Sequence, residues 1–396
     1  MFRISYSSNL KEIEINGSKN AALPIVAANF CIDNKISLTN KPNIVDVKNI
    51  EILAKNALSS SSEYFDLTSE LATKIRASIL LIPLLLKFGK VKFVTGCKIG
   101  KRPLDTFDNA LASAVKVSFL DGNKFYEIID KPKKNIMLQE FSVTAVEALI
   151  TYLAFLPDID YEITIYQSAT EPHVKNLIEF LNQAGANVFL VDHTITVRPV
   201  FKKVIKSDVF EIISDYIQAT YFAIGAADNS ELVIKNCNVD DLSAIYNTAT
   251  KIGINFKIID KHTITVNSYN KKSYQATKFE TRIFPGFPTD LQSLFGTLLT
   301  QASGVSKIFE TMFERFGYLN ELENLANIEI LNPHQALVIP TKLKYVSSTD
   351  LRGGAMVLAI MAETTYITKE DIILRYEDIV HKLKSIVFID CVDGAL

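Results

Sequence analysis

Cysteine is scarce in this chain: four residues in 396, Cys31, Cys97, Cys237 and Cys391, lie far apart. None forms a CxxC pair and none stands near a pair of histidines, so neither a disulfide framework nor a metal site is expected. The five histidines are scattered and carry no expected catalytic role. Long apolar runs are missing as well. The longest, Ile79 to Leu86, is broken by Pro83 and falls far short of the ~20 residues a spanning helix needs. The opening residues, Met1-Phe2-Arg3-Ile4-Ser5-Tyr6, contain no apolar signal core. Excess charge is missing too. The 42 Lys and Arg against 44 Asp and Glu leave a formal net charge of −2, which gives nucleic acid no general attraction. These absences lead us to expect a cytoplasmic protein with reduced thiols, no membrane contact, no nucleic-acid partner and no cofactor. Any anion site in it must be built locally. Nothing in the sequence sets an oligomeric state, and a monomer suits it.

What is present is ordinary for a globular enzyme: 48% hydrophobic and 22% charged residues, in a chain long enough for two domains. Six segments share one pattern, a short polar opening followed by a helix-like run of small and apolar residues. They begin near Lys19, Lys74, Ser142, Asp215, Asp290 and Asp350. These runs lack a polar face, so they are expected to be buried helices. After each comes a strand-like run, such as Lys92-Phe93-Val94 or Tyr161 to Ile165, and then an amphipathic helix, as in Val174 to Ala184 or Leu242 to Ile252. A strand pair closes the unit, as in Asn187 to Val191 with His193 to Arg198. The expectation is an α/β protein of six such units, three per domain, with function at the polar helix openings, where unpaired N–H groups attract anions.

The stretch Gly96-Cys97-Lys98-Ile99-Gly100-Lys101-Arg102-Pro103-Leu104-Asp105 places one thiol among three cations, between two glycines. Nearby cations lower a thiol pKa toward neutrality, and the glycines suit an exposed loop. A reactive thiol on a basic loop fits an anionic substrate that needs a proton donor or a nucleophile. An incidental cysteine on a surface loop is the other reading.

Four further motifs carry a family resemblance. Ile15-Asn16-Gly17-Ser18-Lys19-Asn20-Ala21-Ala22-Leu23-Pro24 resembles the N-terminal signature of the enolpyruvyl transferases. The Cys97 loop is similar to their mobile loop, Phe287-Pro288-Thr289-Asp290-Leu291-Gln292 to their acceptor-base motif, and Thr349-Asp350-Leu351-Arg352 to a later arginine motif. Glu310-Thr311-Met312-Phe313-Glu314-Arg315-Phe316 also matches, with one residue fewer before the arginine. The resemblance runs from about residue 11 to 385. It implies an inside-out α/β barrel of two similar domains, each of three helix-strand repeats, with the active site in the interdomain cleft. Residues 1–18 and 214–396 would form a discontinuous domain carrying Asp290, Arg315 and Arg352. Residues 19–213 would form the other, carrying Lys19 and the Cys97 loop.

The implied reaction moves the enolpyruvyl group of phosphoenolpyruvate to a sugar hydroxyl and releases phosphate. Its branch nearest this chain uses the 3-hydroxyl of UDP-N-acetylglucosamine, a peptidoglycan precursor. The expected partners are therefore phosphoenolpyruvate and a nucleotide-sugar acceptor. By resemblance the catalytic residues are Cys97, Asp290, Lys19 and Arg102. The substrate-binding residues are Asn20, Arg76, Pro103, Asp105, Ser142, Val143, Arg315, Asp350 and Arg352. A doubly anionic substrate needs cations with fork geometry, which Arg102, Arg315 and Arg352 supply. Asp290 and Asp350 also suit helix N-caps, and Arg76 a surface residue. Several positions depart from the pattern. Glu140 stands in place of a lysine and Thr144 of a glycine beside the Ser142-Val143 pair, and a carboxylate there would repel a diphosphate. Tyr216 and Gln218 replace two charges at a domain crossing, and Leu374 aligns with a family arginine, with Arg375 one place along. A different nucleotide or sugar acceptor, or a ligand-binding paralogue without catalysis, therefore remain open beside the first reading.

Overall fold

The computed structural model describes residues 2–6, 12–59, 63–94, 105–156, 159–200, 203–226, 232–267, 274–312, 316, 319, 327–340, 365–367, 382 and 387–391. The chain divides into two compact units, Gly17–Ile213 and Met1–Asn16 with Ser214–Leu396. Each has its own apolar core.

One four-stranded sheet recurs twice in each unit. In Gly17–Ile213, Tyr64–Leu67 runs parallel to Lys90–Phe93, which pairs antiparallel with Asn123–Ile128, itself antiparallel to Val115–Leu120. Asn135–Met137, Ile163–Tyr166, Thr194–Val197 and Val188–Val191 repeat that order. In the other unit it is repeated by Glu12–Glu14, Leu232–Lys235, Thr263–Asn267 and Asn255–Asp260. Lys278–Glu280, Ser306–Phe309, Gln335–Val338 and Ile328–Asn332 form the fourth. Of the six units read from the sequence, the described residues show this sheet in four, with an addition, a short parallel strand that leads each sheet. The opening of the unit from Asp350 lies outside the described residues. Two smaller sheets complete the set. Ser37–Thr39 lies parallel to Val209–Glu211, and Phe2–Tyr6 lies antiparallel to both Thr365–Ile367 and Val387–Cys391.

The helices without a polar face are enclosed, as burial of apolar surface requires. Ala21 to Phe30 are all buried within Lys19–Phe30, and Ala145 to Phe155 within Val143–Phe155. The amphipathic helices Pro172–Gln183 and Ser243–Ile252 bury one face. The segment expected as one helix from Lys74 is instead three pieces: Glu70–Lys74, a 3-10 turn Arg76–Leu81, and Ile82–Leu86. Ile75 between the first two is extended (φ −123°, ψ 124°). Pro83 stands at the start of the third, where its missing N–H leaves no bond unmade. Gly17, in the N-terminal motif, answers to a close approach: a Cβ there would lie 1.7 Å from the carbonyl oxygen of Asn40. Among the described residues no helix is long and apolar enough to cross a membrane.

Glu147 is out of place in the helix Val143–Phe155. It is buried, and its Oε1 has no hydrogen-bond partner among the described residues. Burial, and then the charge of Glu171, push its carboxyl well above the usual carboxylate range. Above the ordinary value of 4.5 the unfolded chain loses this proton while the folded protein keeps it. Stability therefore falls with rising pH, by up to about 1.4 kcal/mol per pH unit, until the raised pKa is reached. Glu147→Gln is expected to remove that slope. Thermal melts of variant and parent between about pH 5 and pH 8 should diverge in the variant's favour as pH rises. Parallel curves would show that Glu147 ionises alike in both states.

Candidate active site

In Gly17–Ile213 the cap of the first helix is Ser18, whose Oγ accepts from Ala21 N at 3.3 Å while its own N–H donates to Ile213 O at 2.7 Å. Lys19 and Asn20 are thereby the first two helical residues, both half-buried. Lys19 Nζ lies 3.5 Å from Asp46 Oδ2, in the first turn of Val45–Leu58. Both side chains are largely covered, 14% and 26% exposed, and Asp46 holds the ammonium at the start of the helix. Arg76, half-buried, opens the 3-10 turn that packs against Lys19–Phe30.

Ser142 is the N-cap of Val143–Phe155, its Oγ accepting from Ala145 N at 3.4 Å, and Val143 is the first residue of that helix. Asp105, exposed, is the first residue of Asp105–Leu111. Side-chain bonds bring these two segments together: Thr106 Oγ1 donates to Glu140 Oε1 at 2.5 Å, and Asn109 Nδ2 to Gln139 Oε1 at 2.8 Å. Asp108 pins the same helix from below, accepting from the buried Tyr126 hydroxyl at 2.9 Å and pairing with Lys124. The Glu140 carboxylate that departs from the family pattern is thus tied to the helix that begins at Asp105. Cys97, Arg102 and Pro103 lie outside the described residues, as do Arg315, Asp350, Arg352, Leu374 and Arg375.

In the other unit Asp290 is half-buried in a 3-10 turn, Thr289–Leu291, that runs into Gln292–Leu299. The N-cap of the turn is Pro288 and that of the helix is Leu291, so Asp290 caps neither. Beneath it Phe287 packs on Phe279 and Phe295, with ring centroids 4.8 Å away in each case. Beside it the buried Glu310 accepts from Thr289 Oγ1 at 2.9 Å. Sequence reading gave Glu310 no role, although it opens the motif that ends at Arg315. The two departures at the crossing have internal uses. Gln218 is buried and its Oε1 accepts from Asn16 N at 3.2 Å, while Tyr216 is buried in the core. Asp215 is the true cap there, with Oδ1 accepting from Ile217 N and Gln218 N at 3.0 and 3.1 Å.

Of the thiols, Cys31 is pushed up to about 12 by burial, against the opposing charges of Lys87 and Lys203. Cys237 is pushed up to about 11, again mainly by burial. At pH 7.5 such thiols are ionised to less than about one part in 1,000. Alkylation of the folded protein is expected to spare both and to mark Cys97 first, since Lys98, Lys101 and Arg102 favour its thiolate. Peptide mapping that found Cys31 or Cys237 labelled ahead of Cys97 would contradict this.

Comparison with known proteins gives the chain its relatives. Residues 7–383 match the family described as EPSP synthase (3-phosphoshikimate 1-carboxyvinyltransferase). The chain is 34% identical to the UDP-N-acetylglucosamine 1-carboxyvinyltransferase of Campylobacter hominis, with 88% of each chain covered. It is 35% identical to that of Pseudothermotoga lettingae, with 94% of each covered, and 32% identical to that of Wolbachia sp. subsp. Brugia malayi, with 97% of each covered. Among solved structures it is similar to the enolpyruvyl transferase NikO from Streptomyces tendae, with a TM-score of 0.82 at 19% identity over 98% of both chains. EPSP synthase from Acinetobacter baumannii gives a TM-score of 0.67 at 11% identity over 99% of this chain and 100% of that one. These likenesses show the inside-out α/β fold of two domains. The chain belongs to the EPSP synthase-like enolpyruvyl transferases, the family of the 1-carboxyvinyltransferases.

Proposed function

We propose that the protein transfers the enolpyruvyl group of phosphoenolpyruvate to the 3-hydroxyl of UDP-N-acetylglucosamine and releases phosphate, the first committed step of peptidoglycan precursor synthesis. The observation that carries this reading is 32–35% identity, over 88–97% of the chain, to relatives that bear the name of that activity. Substrates of this kind, phosphoenolpyruvate and a nucleotide sugar, support a cytoplasmic enzyme.

Each step makes a demand that a residue of this chain meets. Lys19, Arg102, Arg315 and Arg352, with Arg76, bind the phosphate and carboxylate of phosphoenolpyruvate through charge-assisted bonds. The Cys97 thiol delivers a proton to the methylene carbon. The acceptor hydroxyl bonds to the adjacent carbon as Asp290 removes its proton. Asn20 hydrogen-bonds an oxygen of the tetrahedral adduct. Loss of phosphate and of one methyl proton then restores the double bond. Pro103, Asp105, Ser142, Val143 and Asp350 hold the acceptor. In this scheme Met1–Asn16 with Ser214–Leu396 carries Asp290, Arg315 and Arg352, and Gly17–Ile213 carries Lys19 and the Cys97 loop.

Glu140 favours a second reading, the same transfer to another nucleotide or sugar acceptor, because an exposed carboxylate beside Ser142 repels a diphosphate. One assay separates the two. The protein is incubated with phosphoenolpyruvate and a single nucleotide sugar, and both released phosphate and product mass are measured. UDP-N-acetylglucosamine should gain one carboxyvinyl group in place of a hydroxyl hydrogen. Phosphate release with a different nucleotide sugar alone would establish the second reading. None with any acceptor would end both.

A further inference from the structure

Glu310 follows the strand Ser306–Phe309 and is fully buried. A carboxyl group without access to water is costly unless hydrogen-bonded, and this one is well supplied with donors. Its Oε1 accepts from Thr281 Oγ1 at 2.9 Å and from Met312 N at 2.9 Å, and its Oε2 from Thr289 Oγ1 at 2.9 Å. The backbone of Glu310 is held as firmly. Its N–H donates to His334 O at 2.9 Å, and His334 Nδ1 stands 2.8 Å from Glu310 O. A carbonyl oxygen only accepts, so Nδ1 carries the proton of that bond.

Every partner lies on a different piece of the unit. Thr281 follows the strand Lys278–Glu280 and accepts twice from Thr311, from its N–H at Oγ1 and from its hydroxyl at the carbonyl oxygen. Thr289 opens the turn that holds Asp290. Met312 begins the run toward Arg315, and His334 sits in the hairpin between Ile328–Asn332 and Gln335–Val338. An apolar side chain at this position would leave the Thr281 and Thr289 hydroxyls and the Met312 amide without this acceptor. The two oxygens of Glu310 do what an apolar group cannot: they hold the Asp290 turn and the start of the Arg315 segment to one point.

We propose that Glu310 is a positioning residue, which fixes the Asp290 carboxylate through the Thr289 hydroxyl and sets the adjoining Met312 segment through its amide. The inference rests on the reading of Asp290 as the acceptor base. Transfer between bound groups is steep in geometry, and a misplacement of about 1 Å costs roughly 100-fold in rate. Glu310 acts by preventing that misplacement and does not touch the reacting atoms.

Three variants test this: Glu310→Ala, Glu310→Gln and Thr289→Val. Gln keeps an oxygen for Thr281 and Met312, and its amide donates to the Thr289 hydroxyl, which turns to accept. Val keeps the shape of Thr289 and deletes the bond to Glu310. In phosphate-release assays with UDP-N-acetylglucosamine, Glu310→Ala and Thr289→Val should lose ~10- to 100-fold in kcat with the KM for phosphoenolpyruvate nearly unchanged. Glu310→Gln should recover most of the loss. Hydrogen exchange, which needs no substrate, should quicken at the amides of 289–292 in Thr289→Val and stay near parental in Glu310→Gln. Parental kcat in Thr289→Val, or unchanged exchange in that segment, would overturn the inference. Absence of turnover in the parent itself would count against the proposed activity, and the exchange measurement would then decide the positioning role alone.

Discussion

Asp290→Asn is expected to lower kcat by roughly 100- to 10,000-fold, the usual worth of a general base. Asparagine matches the shape of aspartate and removes its ability to take the acceptor's proton. Stability should change little, because Pro288 and Leu291 are the caps at this turn. The lost attraction between a first-turn carboxylate and the helix dipole amounts to less than about 1 kcal/mol. Steady-state phosphate release and a thermal melt on the same sample check both halves. Full activity would remove Asp290 from the chemistry. A large fall in melting temperature with kcat preserved would make it a structural residue.

Phe295→Ala is expected to destabilise its unit by about 3–5 kcal/mol, the range for a large aromatic side chain removed from a core. Phe295 has no exposed surface, and its ring meets Phe287 edge-on at 87° with centroids 4.8 Å apart and Phe279 at 6.2 Å. Phe287 directly precedes Pro288, Thr289 and Asp290, so the cavity opens under the turn that holds the proposed base. Activity should therefore fall at temperatures where the variant is still folded. Phe295→Leu, which fills more of the space, should recover part of both losses. Denaturant titration gives the stability change. A loss under about 1 kcal/mol would show that the surrounding side chains collapse into the gap.

The helices were the most legible part of the fold, and the reason is burial. Ala21 to Phe30 and Ala145 to Phe155 show no polar face in sequence because they meet no water in the structure. Antiparallel pairs such as Val188–Val191 with Thr194–Val197 were legible because their partners are neighbours in sequence. The strands Glu12–Glu14, Asn135–Met137 and Lys278–Glu280 escaped notice. Each is three residues long, too short for an alternation to register, and Glu12–Glu14 pairs with a strand some 220 residues away. The helix expected from Lys74 failed at Ile75 and Pro83, where backbone geometry outweighed apolar periodicity.

The candidate site stood out in the sequence where chemistry concentrates in a motif, as at Lys19 and Asp290. It was illegible where function is assembled from ordinary residues. Thr281, Thr289 and Glu310 are unremarkable one by one, and only the fold brings their hydroxyls to one carboxyl group. Gln218 has a use that the sequence did not show. Read as a charge lost, it serves as a buried acceptor for the Asn16 amide.

The pairing of Glu12–Glu14 with Leu232–Lys235 also sets an order of events during synthesis. Gly17–Ile213 holds all the partners of its own strands, so it can fold while the chain beyond it is still being made. Ile13 and Ile15, 4% and 1% exposed in the finished protein, must meanwhile wait uncovered at an open strand edge. Such an edge invites wrong partners, and flanking charges are the usual guard against them. Glu12 and Glu14 flank Ile13 on either side. Glu12 then gives up its solvation in part to Lys235, at 2.6 Å, once the correct strand has emerged. Phe2–Tyr6 waits longer still, until Val387–Cys391 leaves the ribosome to lie beside it.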